Sequence, residues 1–165
     1  MKEPVLVIIK PDGIDKGLVP NVLRKFNIPE LEIVAMRVAR ATRFQAEQHY
    51  QHLKDKPFFE QIVNYLMGNF HKLKTIMIVV YYGKGAIKKC RNIAGATNPE
   101  EADPTSIRGA YGRITTKGVF ENVVHVSSNK EEAEREIKLW FPPDEVMVKL
   151  YKTKIANIGK KRVWS

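Results

Sequence analysis

The chain has 165 residues, enough for one domain whose core needs no disulfide staples, and 44% hydrophobic with 28% charged residues excludes a disordered or collagen-like polymer. A single cysteine, Cys90, supplies neither a disulfide framework nor a zinc site and fits a reducing, cytoplasmic setting, while no apolar run nears the ~18 residues of a membrane span and the Met1-Lys2-Glu3-Pro4 start lacks a signal-peptide layout. The formal net charge of +10 favours polyanionic partners, whether nucleotides, nucleic acid or acidic lipid, without choosing among them.

In chain order, residues 5–9 are a continuous apolar run, the pattern of a strand buried on both faces, and they end at the turn cluster Lys10-Pro11-Asp12-Gly13. Residues 19–26 carry apolar positions at 19, 22, 23 and 26, a helical stripe with Pro20 near its start. Residues 32–38 alternate as a strand. A polar helix is predicted over 44–54, followed by an amphipathic one opened by Pro57. Residues 75–82 read as a strand, and 86–94 as a short helix with Ala86, Ile87, Cys90 and Ile93 inward. Residues 98–116 read as loop, 122–127 as a strand and 130–140 as a helix. The order β-α-β-α-α-β-α-loop-β-α predicts an α/β (α+β) sandwich, with helices covering one face of an antiparallel sheet of about four strands. The domain spans 1–145, and 146–165 form a basic extension with no acidic residue after Glu145. That extension reads as a solvated basic face. A sharper reading makes it an arm for nucleic acid, or a segment that docks on a neighbouring subunit through Leu150, Ile155, Ile158 and Trp164.

Phosphate-binding loops of the GxxxxGK[ST] and GxGxxG kinds are absent, as is a kinase HRD loop, so any bound phosphate must be held by side chains. Of the four histidines, His49 and His52 lie three apart on a polar helix and read as surface residues without a third metal ligand. His71 sits in a polar loop and carries no signal. His125 lies inside a strand, on the face predicted to hold Val123 and Ser127; alone, it reads as a satisfied core histidine. Its setting changes that reading. Ser128 and Glu131 form a capping-box pattern, so a helix N-terminus able to receive an anion starts beside the imidazole. Glu136 on the same helix is able to fold back, fix the tautomer through one ring nitrogen and leave the other as acceptor or nucleophile. Lys10, Arg91 and Arg108, each by itself a solvated charge, together suffice to neutralise a di- or triphosphate and a transferring phosphoryl group.

These residues resemble the nucleoside diphosphate kinases over nearly the whole chain up to about Glu145. The likeness lies in Ile9-Lys10-Pro11-Asp12-Gly13, Gly17-Leu18-Val19, His49-Tyr50, Lys56-Pro57-Phe58-Phe59, Gly95-Ala96-Thr97-Asn98-Pro99, Ile107-Arg108-Gly109, Asn122-Val123-Val124-His125 and the stretch Ala133 to Phe141, in that order. The resemblance implies a ferredoxin-like sandwich assembled as a homohexamer or homotetramer. It implies ping-pong transfer of a γ-phosphoryl from a nucleoside triphosphate such as ATP to a nucleoside diphosphate, with Mg2+ carried on the nucleotide phosphates and no metal site of the protein's own. By position His125 would be the nucleophile, through Nδ1, with Glu136 holding the ring and Ser127 beside them. Lys10, Tyr50, Arg91, Thr97, Arg108 and Asn122 match residues that contact phosphate or ribose, and Phe58 matches the aromatic that stacks on the base, with Ile62 and Val119 near it. The rival reading is a non-catalytic ferredoxin-like module for nucleotide or nucleic acid, against which the retained His125, Glu136, Lys10, Arg91, Arg108 and Asn122 argue. The chain departs from the family pattern at Val126 and Ser128, at Thr105-Ser106 where a glycine is common, at Lys16 where the family often has arginine, and in longer segments near 69–75 and between Gly109 and Glu121.

Overall fold

The five apolar residues at 5–9 are all buried, because alternate side chains feed two separate cores: Val5, Val7 and Ile9 one, Leu6 and Ile8 the other. A strand with no polar face must be central. Accordingly β1 (Lys2–Ile9) pairs antiparallel with β3 (Ile76–Lys84) on one side and with β6 (Val124–Val126) on the other. Strand β2 (Leu31–Ala39) adds outside β3, with a register shift between Ile33 and Ala35, and completes a four-stranded antiparallel sheet in the order β2-β3-β1-β6. The computed structural model describes residues 2–156, and the backbone of 162–164.

Helices cover both faces of this sheet, not one as the element order suggested. The short helix α1 (Pro11–Asp15) follows β1 directly, and α2 (Val19–Phe26) then sends Val22 and Phe26 into the first core, the Phe26 ring lying 5.4 Å from Tyr81. The second core receives Ala46 of α3 (Arg43–His49) and Val63 and Leu66 of α4 (Phe59–Leu66). The polar helix predicted to reach residue 54 stops at His49 and continues as one 3₁₀ turn, Gln51–Leu53. Pro57 and Phe58 lie in the turn before α4. Helix α5 (Ala86–Ala94) packs Ala86, Ile87 and Cys90 into the first core.

The segment read as loop contains α6 (Ile107–Tyr111), whose N-cap Ser106 accepts from the Gly109 N–H at 3.1 Å. A hairpin of β4 (Arg113–Ile114) and β5 (Phe120–Glu121) follows. Helix α7 (Lys130–Trp140) occupies the predicted residues and contributes Ile137 and Trp140 to the second core. Its cap is Asn129, which accepts from the Glu132 N–H at 2.8 Å, one residue later than the expected Ser128–Glu131 frame. The start of the basic extension is seated on the domain: Val146 is buried, Leu150 and Tyr151 pack on the second core, and the Met147 N–H donates to Val34 O at 2.9 Å. Strand β7 (Thr153–Ile155) pairs antiparallel with β8 (Arg162–Trp164), and Ile155 is exposed. Ile158, Lys160, Lys161 and the side chain of Trp164 lie outside the described residues. No helix among the described residues is long and apolar enough to cross a membrane.

Gly109 is where the 98–106 segment closes on α6, and a Cβ there would stand 2.1 Å from Asp103 O. Overpacking against backbone cannot relax through a side chain, so Gly109→Ala is expected to destabilise the fold by about 1–3 kcal/mol, measured as a lower urea midpoint at unchanged m-value.

Candidate active site

The site begins with a break in a strand. Val123 has φ +66°, rare for a β-branched residue, and the Val124 N–H donates to Asn122 O at 2.7 Å across it, a γ-turn closed by an i→i+2 bond. Such a conformation costs on the order of 1–3 kcal/mol and persists only where its surroundings fix it. Here the Val123 N–H donates to Asp12 Oδ2 at 3.0 Å, and Val123 O accepts from the Lys10 N–H at 2.8 Å. The turn shortens the predicted strand 122–127 to β6 and sends Val123 into the first core with Val124 and Val126. Val123 therefore does not share the face of His125, which pairs with Ile8 and looks toward α7. Val126 lies on the opposite face from His125, as its position in the strand requires.

His125 Nε2 lies 3.0 Å from both carboxylate oxygens of Glu136, which is fully buried. The Ser127 hydroxyl donates to Glu136 Oε2 at 2.6 Å and accepts from the Leu6 N–H at 3.2 Å. Burial, and then the charges of Lys10 and Arg108, hold the His125 imidazole well below its ordinary pKa. The ring is therefore neutral near pH 7. Its proton sits on Nε2, where Glu136 accepts it, and Nδ1 keeps its lone pair. Burial raises the Glu136 pKa, while the Ser127 hydrogen bond and Arg135 work in the other direction.

His49, expected at the surface, is fully buried with its ring centroid 4.3 Å from that of His125. With Ala46 and Tyr50 it forms an i, i+3, i+4 face, the signal that reveals it as interior. His49, His125 and Glu136 bring ligand atoms within 4.8 Å of one another, yet they do not suit a metal. The Trp140 indole N–H donates to His49 Nδ1 at 3.3 Å, so neutral His49 carries its proton on Nε2 and has no lone pair left to offer. Burial and the neighbouring His125 keep His49 uncharged.

In front of His125 opens a cleft of about 670 Å³, within the range of small-molecule sites. Lys10, Tyr50, Phe58, Arg91, Thr97, Arg108 and Asn122, drawn from separate stretches of chain, line it together with His125, Ile62 and Val119. Ser127 and Glu136 stand behind the ring. Lys10 bonds to Asn122 Oδ1, and Asn122 Nδ2 donates to Thr97 O at 2.7 Å. Arg108 is fixed by bonds to Gly95 O at 2.8 Å and Val124 O at 2.9 Å, and burial together with Arg91 lowers its pKa to about 10, so it stays charged at neutral pH. Burial lowers the Lys10 pKa to about 8, against the opposing charge of Asp12. Phe58 is 43% exposed, an aromatic face left open at the cleft. Glu132 is the one carboxylate among the described lining residues, so the cleft suits phosphate oxygens and not a bare cation. Sequence reasoning passed over Asp12, His49 and Tyr65. Asp12 reads only as part of a turn cluster and His49 as surface, and Tyr65 is not singled out.

The nucleoside diphosphate kinase family profile matches residues 3–146. The nucleoside diphosphate kinase of Pyrococcus furiosus is 40% identical over 144 residues, 87% of this chain and 86% of its own length. That of Archaeoglobus fulgidus is 41% identical over 145 residues, covering 88% and 90%. Among solved structures, the Aquifex aeolicus nucleoside diphosphate kinase has a TM-score of 0.78 at 33% identity, covering 88% of this chain and 99% of that one. A transition-state mimic of the Borrelia burgdorferi enzyme with bound vanadate and ADP gives a TM-score of 0.79 at 26% identity, over 90% and 92% of the two chains. The matched residues include the whole constellation from Lys10 to Glu136, and this chain belongs to the nucleoside diphosphate kinase family.

Proposed function

We propose that the chain moves the γ-phosphoryl group of a nucleoside triphosphate, ATP among them, to a nucleoside diphosphate through a phosphohistidine on His125, balancing the nucleotide pool in the cytoplasm. The observation that carries this reading is the His125–Glu136 hydrogen bond, placed at the floor of a cleft with Lys10, Arg91 and Arg108 on its walls. The Nδ1 lone pair attacks the γ-phosphorus, the bond from phosphorus to the β,γ-bridging oxygen breaks, and the nucleoside diphosphate leaves with that oxygen. Phosphorylation at Nδ1 makes the ring cationic as long as Nε2 keeps its proton, and the Glu136 carboxylate stabilises that charge. A terminal oxygen of the second diphosphate then attacks phosphorus, the N–P bond breaks, and the lone pair returns to Nδ1. Phosphoryl transfer asks mainly for positioning and electrostatics, and the three cations with Tyr50, Thr97 and Asn122 supply both.

The substrate is a nucleotide carrying a divalent cation, Mg2+ in this reading, bridged by its phosphates. Phe58 offers a stacking face, which every base can use, so purine and pyrimidine nucleotides are both served. Residues 1–145 form the catalytic unit and 146–165 a basic extension on it; the protein works as a homohexamer or homotetramer.

Incubation with γ-labelled ATP tests the reading. The wild type should hold acid-labile, base-stable label that any nucleoside diphosphate discharges, and His125→Ala should hold none; full transfer activity in His125→Ala would end the proposal. Glu136→Gln keeps an oxygen to accept from Nε2–H and deletes the charge, a difference of about 1–1.5 kcal/mol between charged and neutral hydrogen bonds, which predicts a fall in kcat of about 5- to 13-fold with KM little changed. Phe58→Ala should raise KM by about 5- to 150-fold, from a stacking loss of about 1–3 kcal/mol, and alike for ADP, GDP, CDP and UDP in steady-state assays.

A further inference from the structure

Lys10 poses a problem that the two arginines do not. A buried ammonium readily gives up its proton, whereas a guanidinium does not, so a buried lysine that grips phosphate needs something to keep it charged. We propose that Asp12 and the ring of Tyr65 are positioning residues that hold the Lys10 ammonium charged and fixed in the cleft. The inference rests on the reading of Lys10 as a phosphate ligand and deepens it.

Asp12 is 1% exposed and Tyr65 3%. A carboxylate buried to that degree is costly unless positive charge and donors face it. The Lys10 ammonium stands 4.7 Å from the centroid of the Tyr65 ring, within cation–π range. Asp12 and Lys10 hold the same γ-turn from two sides, Asp12 Oδ2 accepting from the Val123 N–H at 3.0 Å and the Lys10 N–H donating to Val123 O at 2.8 Å. The two residues, one position apart from being neighbours in the chain, are thereby locked together. The groups facing the ammonium are Asp12 from α1, Tyr65 from α4, Arg108 from α6, His125 from β6 and the Asn122 amide. Arg108 carries like charge, and His125, Tyr65 and Asn122 are neutral. Asp12 is thus the one negative charge in this set. It also bears on Tyr65, whose phenol is raised by burial first and by Asp12 next.

Wild-type Lys10 is charged below about pH 8 and loses its charge above it. Taking away the carboxylate moves that loss to lower pH. Asp12→Asn keeps a carbonyl oxygen for the Val123 N–H and deletes only the charge; Tyr65→Leu keeps an apolar side chain and deletes the ring face together with the phenol. The Lys10 side chain is followed by its ¹³Cε shift across roughly pH 6–10, a span that brackets a depressed lysine titration, and is assigned by its disappearance in Lys10→Arg. KM for ADP is measured over the same series. Asp12→Asn should lower the Lys10 midpoint by about one pH unit or more, Tyr65→Leu by less, and the rise of KM with pH should begin correspondingly earlier. An unmoved midpoint in Asp12→Asn overturns the proposal, and if that variant does not fold, an unmoved midpoint in Tyr65→Leu overturns it. A midpoint that moves while KM stays blind to it upholds the pairing and refutes Lys10 as the phosphate ligand.

Discussion

In the proposed reaction a single hydrogen bond sets the chemistry: His125 Nε2–H to the buried Glu136 carboxylate, 3.0 Å to each oxygen. Buried imidazoles are common and inert. This one is poised because its environment decides two things at once. Burial and the charges of Lys10 and Arg108 keep it neutral, and Glu136 fixes the remaining proton on one nitrogen. A neutral ring with a committed tautomer has one free lone pair, and a nucleophile needs no more. The Ser127 hydroxyl, 2.6 Å from Glu136, holds the carboxylate so that it in turn holds the ring.

Much of the fold serves to make that bond geometrically unavoidable. The β1–β6 pairing sets His125 beside Ile8 on the face toward α7, and Ile137 and Trp140 anchor α7 in the second core with Glu136 adjacent. The Asn129 cap fixes where the helix begins, hence which turn reaches the ring. On the other side the γ-turn at Val123 lets one short stretch serve both the first core and the cleft: Asn122 turns to the cleft, Val123 goes inward and His125 emerges two residues later. The strain of a left-handed valine is tolerated because Asp12 and Lys10 saturate its N–H and C=O. Buried charge then appears on both sides of the imidazole, positive in the cleft and negative behind it, each costly alone and each compensated by fixed partners.

The regular parts of this architecture were legible in the sequence because they obey local rules. The unbroken apolar run of β1 reads as a strand buried on both faces, and α7 occupies the residues 130–140 read as a helix behind a capping pattern. The four-stranded antiparallel sheet and the ferredoxin-like arrangement followed from element order and the family resemblance. What escaped were features decided by tertiary contact. No local signal makes Val123 left-handed; Asp12, far away in sequence, does that. The lone α6 depends on Ser106 and on close approach to Asp103, so its sequence looks like loop. His49 looked polar because its helix is polar, although its partner Trp140 lies 91 residues away. The cap of α7 slipped by one residue because Asn129 outcompetes Ser128, whose hydroxyl bonds to Glu132 Oε2 instead at 2.7 Å. Residues of the family motif lie together around one cleft, with Glu136 and Ser127 behind the imidazole as read, whereas Asp12 and Tyr65 beside Lys10 carried no legible signal.

The chemistry turns on one nitrogen atom, so the most direct measurement asks which nitrogen becomes phosphorylated. With ¹⁵N-histidine protein charged by ATP, two-dimensional ¹H–¹⁵N spectra separate the two ring positions and report which still bears a proton. The mechanism predicts phosphorus on Nδ1 of His125, with Nε2 protonated and bonded to Glu136. Phosphorus on Nε2, the nitrogen that faces the carboxylate, would contradict it.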